Sequence, residues 1–155
     1  MTTIRTARTY DAAAITGLCG ELGYPATRAQ VVSRLAAIET DARGCVLVAE
    51  DASGTVAGWL HVAIGASLTD EACAEIRGLV VTASARGNGL GRDLLHAAEA
   101  WAHAHGCACM RVRSRVEREG AHRFYERAGY VRAKTQAVFA KPVAAAQSTS
   151  RLRTA

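Results

Sequence analysis

The feature that most limits what this chain can fold into lies between residues 74 and 105. An apolar run, Ala74-Glu75-Ile76-Arg77-Gly78-Leu79-Val80-Val81, leads into a loop from Thr82 to Gly91 that closes on Arg86-Gly87-Asn88-Gly89-Leu90-Gly91. An amphipathic stretch follows, from about Leu90 to His105. This pattern predicts a strand, a tight turn and a helix. The glycines at 87, 89 and 91 let the backbone turn sharply and leave its amides uncovered. Uncovered N–H groups feeding a helix N-terminus attract an anion, because the amides point outward and the helix dipole adds positive potential. Arg86 and Arg92 bracket the turn, and guanidinium forks suit phosphate oxygens. The stretch therefore reads as a phosphate or pyrophosphate site, although the glycines alone would serve equally well in a turn that only caps a helix.

The spacing excludes two common nucleotide loops. A P-loop ends in Gly-Lys-Ser/Thr, and here the chain has Gly91-Arg92-Asp93. A dinucleotide loop needs Gly-x-Gly-x-x-Gly, and here the spacing is Gly-x-Gly-x-Gly. What remains, Arg86-x-x-Gly89-x-Gly91, resembles the acyl-CoA loop of the GNAT superfamily of N-acetyltransferases. A second stretch, Ala121-His122-Arg123-Phe124-Tyr125-Glu126-Arg127-Ala128-Gly129-Tyr130, is similar to that superfamily's A-x-x-F-Y-x-x-x-G-F/Y signature. The resemblance implies acetyl-CoA as donor, with its pyrophosphate on the loop amides of Arg86, Gly87, Asn88, Gly89, Leu90, Gly91 and Arg92. It also implies that the pantetheine arm pairs with the strand at Leu79, Val80 and Val81.

Along the chain, Ile4 to Arg8 reads as a first strand. A helix is expected from about Tyr10 to Leu22, capped by Thr9 or Asp11, and a second from about Arg28 to Glu39, capped by Thr27. Cys45–Glu50 and Thr55–Ile64 form an antiparallel pair across a short connection. Ala108–Ser114 is a strand joined to the 74–81 strand by one helix, which makes the two parallel neighbours. A short helix covers about Glu119–Ala128, and two last strands are expected at Tyr130–Ala133 and Gln136–Ala140. The expected architecture is α+β: a mixed, mostly antiparallel central sheet with a parallel pair in its middle, flanked by helices. This order resembles the GNAT fold over about residues 3 to 141. Residues 1–142 read as a single domain and 143–155 as a disordered tail.

At 155 residues, half of them hydrophobic, the chain can bury a core of one domain. No apolar run is long enough for a membrane span, and the N-terminus carries no signal-peptide pattern. Five cysteines at irregular spacing argue against a disulfide framework and for reduced thiols, so the expected location is cytoplasmic. Cys107-x-Cys109 lacks a second pair at metal spacing, and no metal is expected. The net charge of +5 would suit nucleic acid, but an anionic cofactor accounts for it as well. Arg115 and Arg118 fall in the most basic segment and are candidate CoA phosphate contacts. In many superfamily members the position of Arg115 is an Asn.

For the chemistry, Gly78 inside a strand marks a bulge or a close approach. A bulge would splay the 74–81 strand from its parallel neighbour and free a backbone N–H near Val80 or Val81 for a tetrahedral oxyanion. The resemblance places Tyr125 by the thioester sulfur, as a hydrogen-bond donor to the departing thiolate. Full proton transfer from phenol to thiolate is uphill by roughly 2 kcal/mol, so partial donation is expected. An amine of lysine-like pKa is neutral in about one molecule in a few thousand at pH 7, a cost near ~4.6 kcal/mol, so a base is useful. Glu75 is the candidate, sharing a face with Leu79 and Val81 by alternation. Equally, Glu75 could form structural ion pairs with Arg77 or Arg111. His61 is a second candidate base. The expected reaction is direct transfer to a primary amine of a small molecule or of a peptide or protein. A non-catalytic acyl-CoA-binding domain and a basic nucleic-acid binder are the alternatives. A homodimer is expected by family analogy only.

Overall fold

The computed structural model describes residues 2–144; the tail expected at 143–155 lies largely outside them. The described residues fall into two compact units, the first ending at Arg113 and the second beginning at Ser114.

The first unit is a five-stranded sheet with three helices. Its strands are β1 (Thr3–Thr6), β2 (Gly44–Glu50), β3 (Val56–Gly65), β4 (Cys73–Val81) and β5 (Cys109–Val112). They lie side by side in that order. The first three junctions are antiparallel and β4–β5 is parallel. Helices α1 (Ala12–Leu22) and α2 (Arg28–Glu39) precede β2, and α3 (Leu90–Ala104) supplies the crossover from β4 to β5.

Strand alternation sorts the side chains into two layers. Val46, Val48, Trp59 and Val80 face α1 and α2, packing with Ile15, Leu18, Val31 and Leu35. The intervening positions, including Leu60, Val62, Ala74 and Ile76, are buried on the opposite face. There α3 packs against β2, β3 and β4 with Leu94, Leu95, Ala98 and Ala102 buried. Leu60, Leu94, Leu95, Val48 and Val62 are fully buried, each contributing roughly 1.5–3 kcal/mol of apolar transfer.

The helix ends follow their sequence signals. Thr27 Oγ1 accepts the Gln30 N–H and the Gln30 side chain accepts the Thr27 N–H, a reciprocal cap that starts α2 where Thr27 predicts it. Gly23, at φ 89°, ends α1, with the Tyr24 N–H returning to the Cys19 carbonyl. The helix expected from Tyr10 starts instead with a 3-10 turn at Thr9–Asp11. Asp11 is nearly buried, and its carboxylate accepts two bonds from Arg5 and the Arg8 N–H. Arg5 also reaches Glu50 on β2, so one guanidinium ties β1 to the neighbouring strand and to the start of α1.

Two expectations are corrected. Cys73 and Cys109 are register partners on the parallel pair, with Cα atoms 4.8 Å apart, and they are joined as a disulfide rather than kept as separate thiols. Their separation of 36 residues hid a pairing that the βαβ crossover creates. Among the described residues, 130–133 and 136–140 form no strand. Val131, Val138 and Phe139 are exposed there, and the parallel pair closes the sheet instead of lying in its middle.

The second unit is organised on α4 (Glu119–Arg127). Gly129, at φ 92°, turns the chain so that the Tyr130 N–H meets the Tyr125 carbonyl, and the two rings pack edge to face at 5.7 Å. Arg132 donates to Glu126 and to His122 Nδ1, so His122 carries its proton on Nε2 and donates it to the Arg115 carbonyl.

Candidate functional site

The loop expected to hold an anion has the geometry for it. Gly87 and Gly89 have φ of 83° and 87°, which residues with a Cβ rarely adopt. The first α3 bond runs from the Asp93 N–H to the Gly89 carbonyl. The amides of residues 87 to 92 therefore precede the helical ladder, and among the described residues none of them forms a hydrogen bond. The Arg92 guanidinium folds back to within 3.4 Å of where a Cβ on Gly89 would stand. The result is a row of donors at a helix N-terminus with a cation beside it, which fits a pyrophosphate.

Arg86 has a more specific task than charge alone. Its Nε donates to the Val81 carbonyl at 3.1 Å, anchoring the loop to the end of β4. On the other side, Glu21 of α1 accepts from Thr82 Oγ1 and from the Ala83 N–H, both at 3.0 Å, and so caps the 3-10 turn at Ala83–Ala85. Sequence reasoning missed Glu21. Its only signal was an acidic residue next to a helix stop, and nothing local shows that the segment 61 residues away lies beside it.

The splay of β4 from β5 is present. The two strands pair from Cys73/Cys109 to Ile76/Val112 and no further. On its other side β4 stays paired with β3, but the register shifts between His61 and Val62, leaving Arg77 as the extra residue between Ile76 and Gly78. This is the bulge that Gly78 predicts. The need for glycine comes from β3: a Cβ at 78 would lie 2.8 Å from Cη2 and Cζ3 of Trp59.

The bulge also reassigns faces. Beyond it, Leu79 and Val81 pair with Leu60 and Gly58, whereas Glu75 pairs with Ala63. Glu75 is therefore on the α1/α2 face with Trp59 and His61, not on the face of Leu79 and Val81 as simple alternation predicts, because one inserted residue inverts the count. The Thr82 N–H donates to Ala57. In an antiparallel ladder that parity turns the Val80 and Gly78 backbone toward β3, and the Leu79 and Val81 groups toward the side vacated by β5. Of the three expected pantetheine partners, Leu79 and the Val81 N–H are available, while the Val81 carbonyl already accepts from Arg86. Val80 is spent on the ladder and, at 5% exposure, on the core.

Glu75 is half-buried, with Oε1 3.9 Å from Arg77 and 3.5 Å from Arg113. Of the two arginines expected as ion partners, Arg77 is confirmed and Arg111 gives way to Arg113. On the same face, His61 stands opposite Gly78. It lines a hollow of about 410 Å3 with Ala37 and Ile38 of α2, Asp41, and Arg77. Burial pushes the His61 imidazolium below its ordinary pKa, and Arg77 pushes it further. At neutral pH the ring is uncharged, and among the described residues it forms no hydrogen bond.

Arg115, Arg118 and Tyr125 belong to the second unit. Arg115 and Arg118 are exposed, and Tyr125 is half-buried. Burial raises the Tyr125 phenol above its usual pKa and Arg118 partly opposes this, so the group is a protonated donor at neutral pH.

The profile of the acetyltransferase (GNAT) family matches residues 13–130. The sequence matches no curated protein. Among solved structures, the chain is similar to a transcriptional regulator from Bacillus halodurans C-125 at 24% identity and TM-score 0.81, covering 91% of this chain and 100% of that one. It is similar to the aminoglycoside acetyltransferase AAC(6')-Iy bound to a CoA-S-monomethyl-acetylneamine bisubstrate analogue, at 17% identity and TM-score 0.82, covering 92% and 99%. A glucosamine-6-phosphate N-acetyltransferase from Arabidopsis thaliana matches at 21% identity and TM-score 0.76, covering 93% and 99%.

Proposed function

This chain belongs to the GNAT acetyltransferase family, and from that premise we propose that it moves an acetyl group from acetyl-CoA directly to a primary amine of a small molecule, peptide or protein. The observation that carries the reading is the run of amides from Gly87 to Arg92 at the start of α3, unbonded among the described residues, beside a strand whose outer edge is unpaired with β5 at Leu79 and at the Val81 N–H. The similarity to a structure holding a CoA bisubstrate analogue supports the same donor.

In this reading the amides of residues 87–92, with Arg92, hold the pyrophosphate, and Arg86 keeps the loop against β4. Arg115 and Arg118 are further contacts for CoA phosphates. Acetyl-CoA supplies the activated acyl group, and the Leu79 and Val81 edge pairs with the amide-bearing arm. An N–H on that edge is the donor for the oxyanion. Tyr125 donates to the departing thiolate. Glu75, with its carboxylate between two guanidinium groups, sets the charge on the acceptor side by holding Arg77 and Arg113. The reading needs no metal. Among the described residues no helix is long and apolar enough to cross a membrane.

Calorimetry with CoA tests the donor site, and thiol release from acetyl-CoA across a panel of amines tests transfer. Binding in the micromolar range and amine-dependent thiol release are expected. No heat from CoA would overturn the reading, and CoA binding without turnover on any amine would leave a binding domain in place of an enzyme.

A further inference from the structure

We propose that the hollow beneath α2 receives the acceptor amine and that His61 takes the proton the amine sheds during transfer. The inference rests on the acetyltransferase reading and adds to it a residue, a pocket and a ligand class, a small primary amine.

Three observations converge. The first is position: His61 is the β3 partner of Gly78, the residue that follows the bulge and begins the segment of β4 no longer paired with β5. By register it stands opposite the residue just before Leu79, whereas Glu75 lies on the other side of the bulge. The second is space: a hollow of about 410 Å3, open to solvent, lies beside its ring, room enough for a small ligand, and its α2 wall is Ala37 and Ile38. The third is chemistry. The ring is uncharged at neutral pH and, among the described residues, forms no hydrogen bond, so it keeps a lone pair beside the hollow. Glu75, the other base within reach of this face, already has Arg77 and Arg113 beside its carboxylate.

The groups that face His61 can be named element by element. From β4 they are Arg77 and, two residues away, Glu75; from the turn after α2, Asp41; α2 itself presents Ala37 and Ile38, and β2 presents Val46 as its register partner. Burial, with Arg77 adding to it, favours the neutral imidazole. The Asp41 carboxylate accepts the Arg43 N–H and stands at the rim, where it attracts an incoming ammonium.

The step balances as follows. The ammonium first gives one proton to solvent; the free amine nitrogen then bonds to the thioester carbonyl carbon, whose C=O pair moves onto oxygen, and the nitrogen becomes cationic. That nitrogen, no longer a free amine, passes its proton to the imidazole. The tetrahedral oxyanion collapses, the C–S bond breaks, and the electron pair leaves on sulfur, which Tyr125 hydrogen-bonds while solvent supplies the proton. The imidazolium returns its proton to water.

The test uses the full chain with its histidines carrying 13C at Cε1, saturated with CoA and titrated with ethanolamine, putrescine, glucosamine, lysine and glycinamide. There are five histidines, and His61→Gln identifies the resonance. The expected result is that the His61 signal titrates below the ordinary histidine range and shifts with at least one amine, while His96, His103, His105 and His122 do not move. With that amine, His61→Gln and His61→Asn lower kcat/KM at least tenfold, abolish its acidic limb and leave CoA affinity within twofold. A His61 signal that none of the five amines moves overturns the pocket. Turnover in both His61 variants within threefold of wild type, with the limb intact, overturns the proton role. CoA binding in either case leaves the acetyltransferase reading standing, whereas absence of CoA binding removes both.

Discussion

The benzo edge of the Trp59 indole packs so closely on Gly78 that a Cβ at that position would stand 2.8 Å from two ring carbons. The contact joins the core beneath α1 to the backbone just past the bulge, where β4 parts from β5. One glycine therefore serves packing and site geometry together. Gly78→Ala should lose about 1–3 kcal/mol of stability, as overpacked cores do. It should also weaken CoA binding, because relief of the clash displaces Leu79. Urea unfolding and calorimetry measure the two. Trp59→Phe in the Gly78→Ala background should recover part of both, and a fully stable single variant would show that the ring yields freely.

Glu21 is predicted to act on the glycine loop from the end of α1, a different helix from the one the loop feeds. Losing its bonds to Thr82 and Ala83 removes the cap of the turn that feeds the loop. Glu21→Ala should cost about 1 kcal/mol, which corresponds to CoA affinity reduced by about fivefold if the loop loosens by that amount. Glu21→Gln, which keeps an acceptor oxygen, should lie between. Equal CoA affinity in Glu21→Ala and wild type would mean that Arg86 alone sets the loop.

The Arg5–Asp11–Glu50 cluster predicts the acid limit of stability. Burial by itself would raise Asp11, but the Arg5 hydrogen bonds, the Arg8 N–H and both guanidinium charges together hold it below the ordinary aspartate value. A depressed folded-state pKa contributes stability that is complete above the unfolded value, about 3.9, and is lost as pH falls through the folded one. Asp11→Asn should be destabilised by roughly 1–3 kcal/mol at pH 7. The gap to wild type should narrow from about pH 4 downward. Chemical unfolding from pH 3 to 7 checks the sign; a gap that widens in acid would contradict it.

Tyr125→Phe should reduce kcat by about 100-fold while leaving CoA affinity unchanged, the pattern of a lost proton donor. Because burial raises the phenol, wild type should keep its activity to alkaline pH and decline only as Tyr125 ionises. The Phe variant should lack that decline. Equal turnover in the two proteins would remove Tyr125 from the mechanism.

Much of this was legible in the residues. The Arg86–Gly91 loop, the cap at Thr27, the stop at Gly23 and the bulge at Gly78 are local: each is set by backbone conformations and bonds within a few positions. The α2 boundaries, Arg28–Glu39, and the parallel partnership of β4 and β5 also follow, since patterning and the right-handed crossover leave little choice.

What the linear order could not disclose were contacts across large separations. Which face Glu75 occupies depends on one extra residue at Arg77, and alternation counts correctly only until a bulge intervenes. That Cys73 meets Cys109, that Glu21 caps residues 82 and 83, and that Arg113 in place of Arg111 reaches Glu75 all come from register between elements. Register is fixed by the packing of whole layers rather than by any short stretch. The chemistry of the loop was written in its own residues; the company kept by Glu75 and His61 was set by how the strands came to lie side by side.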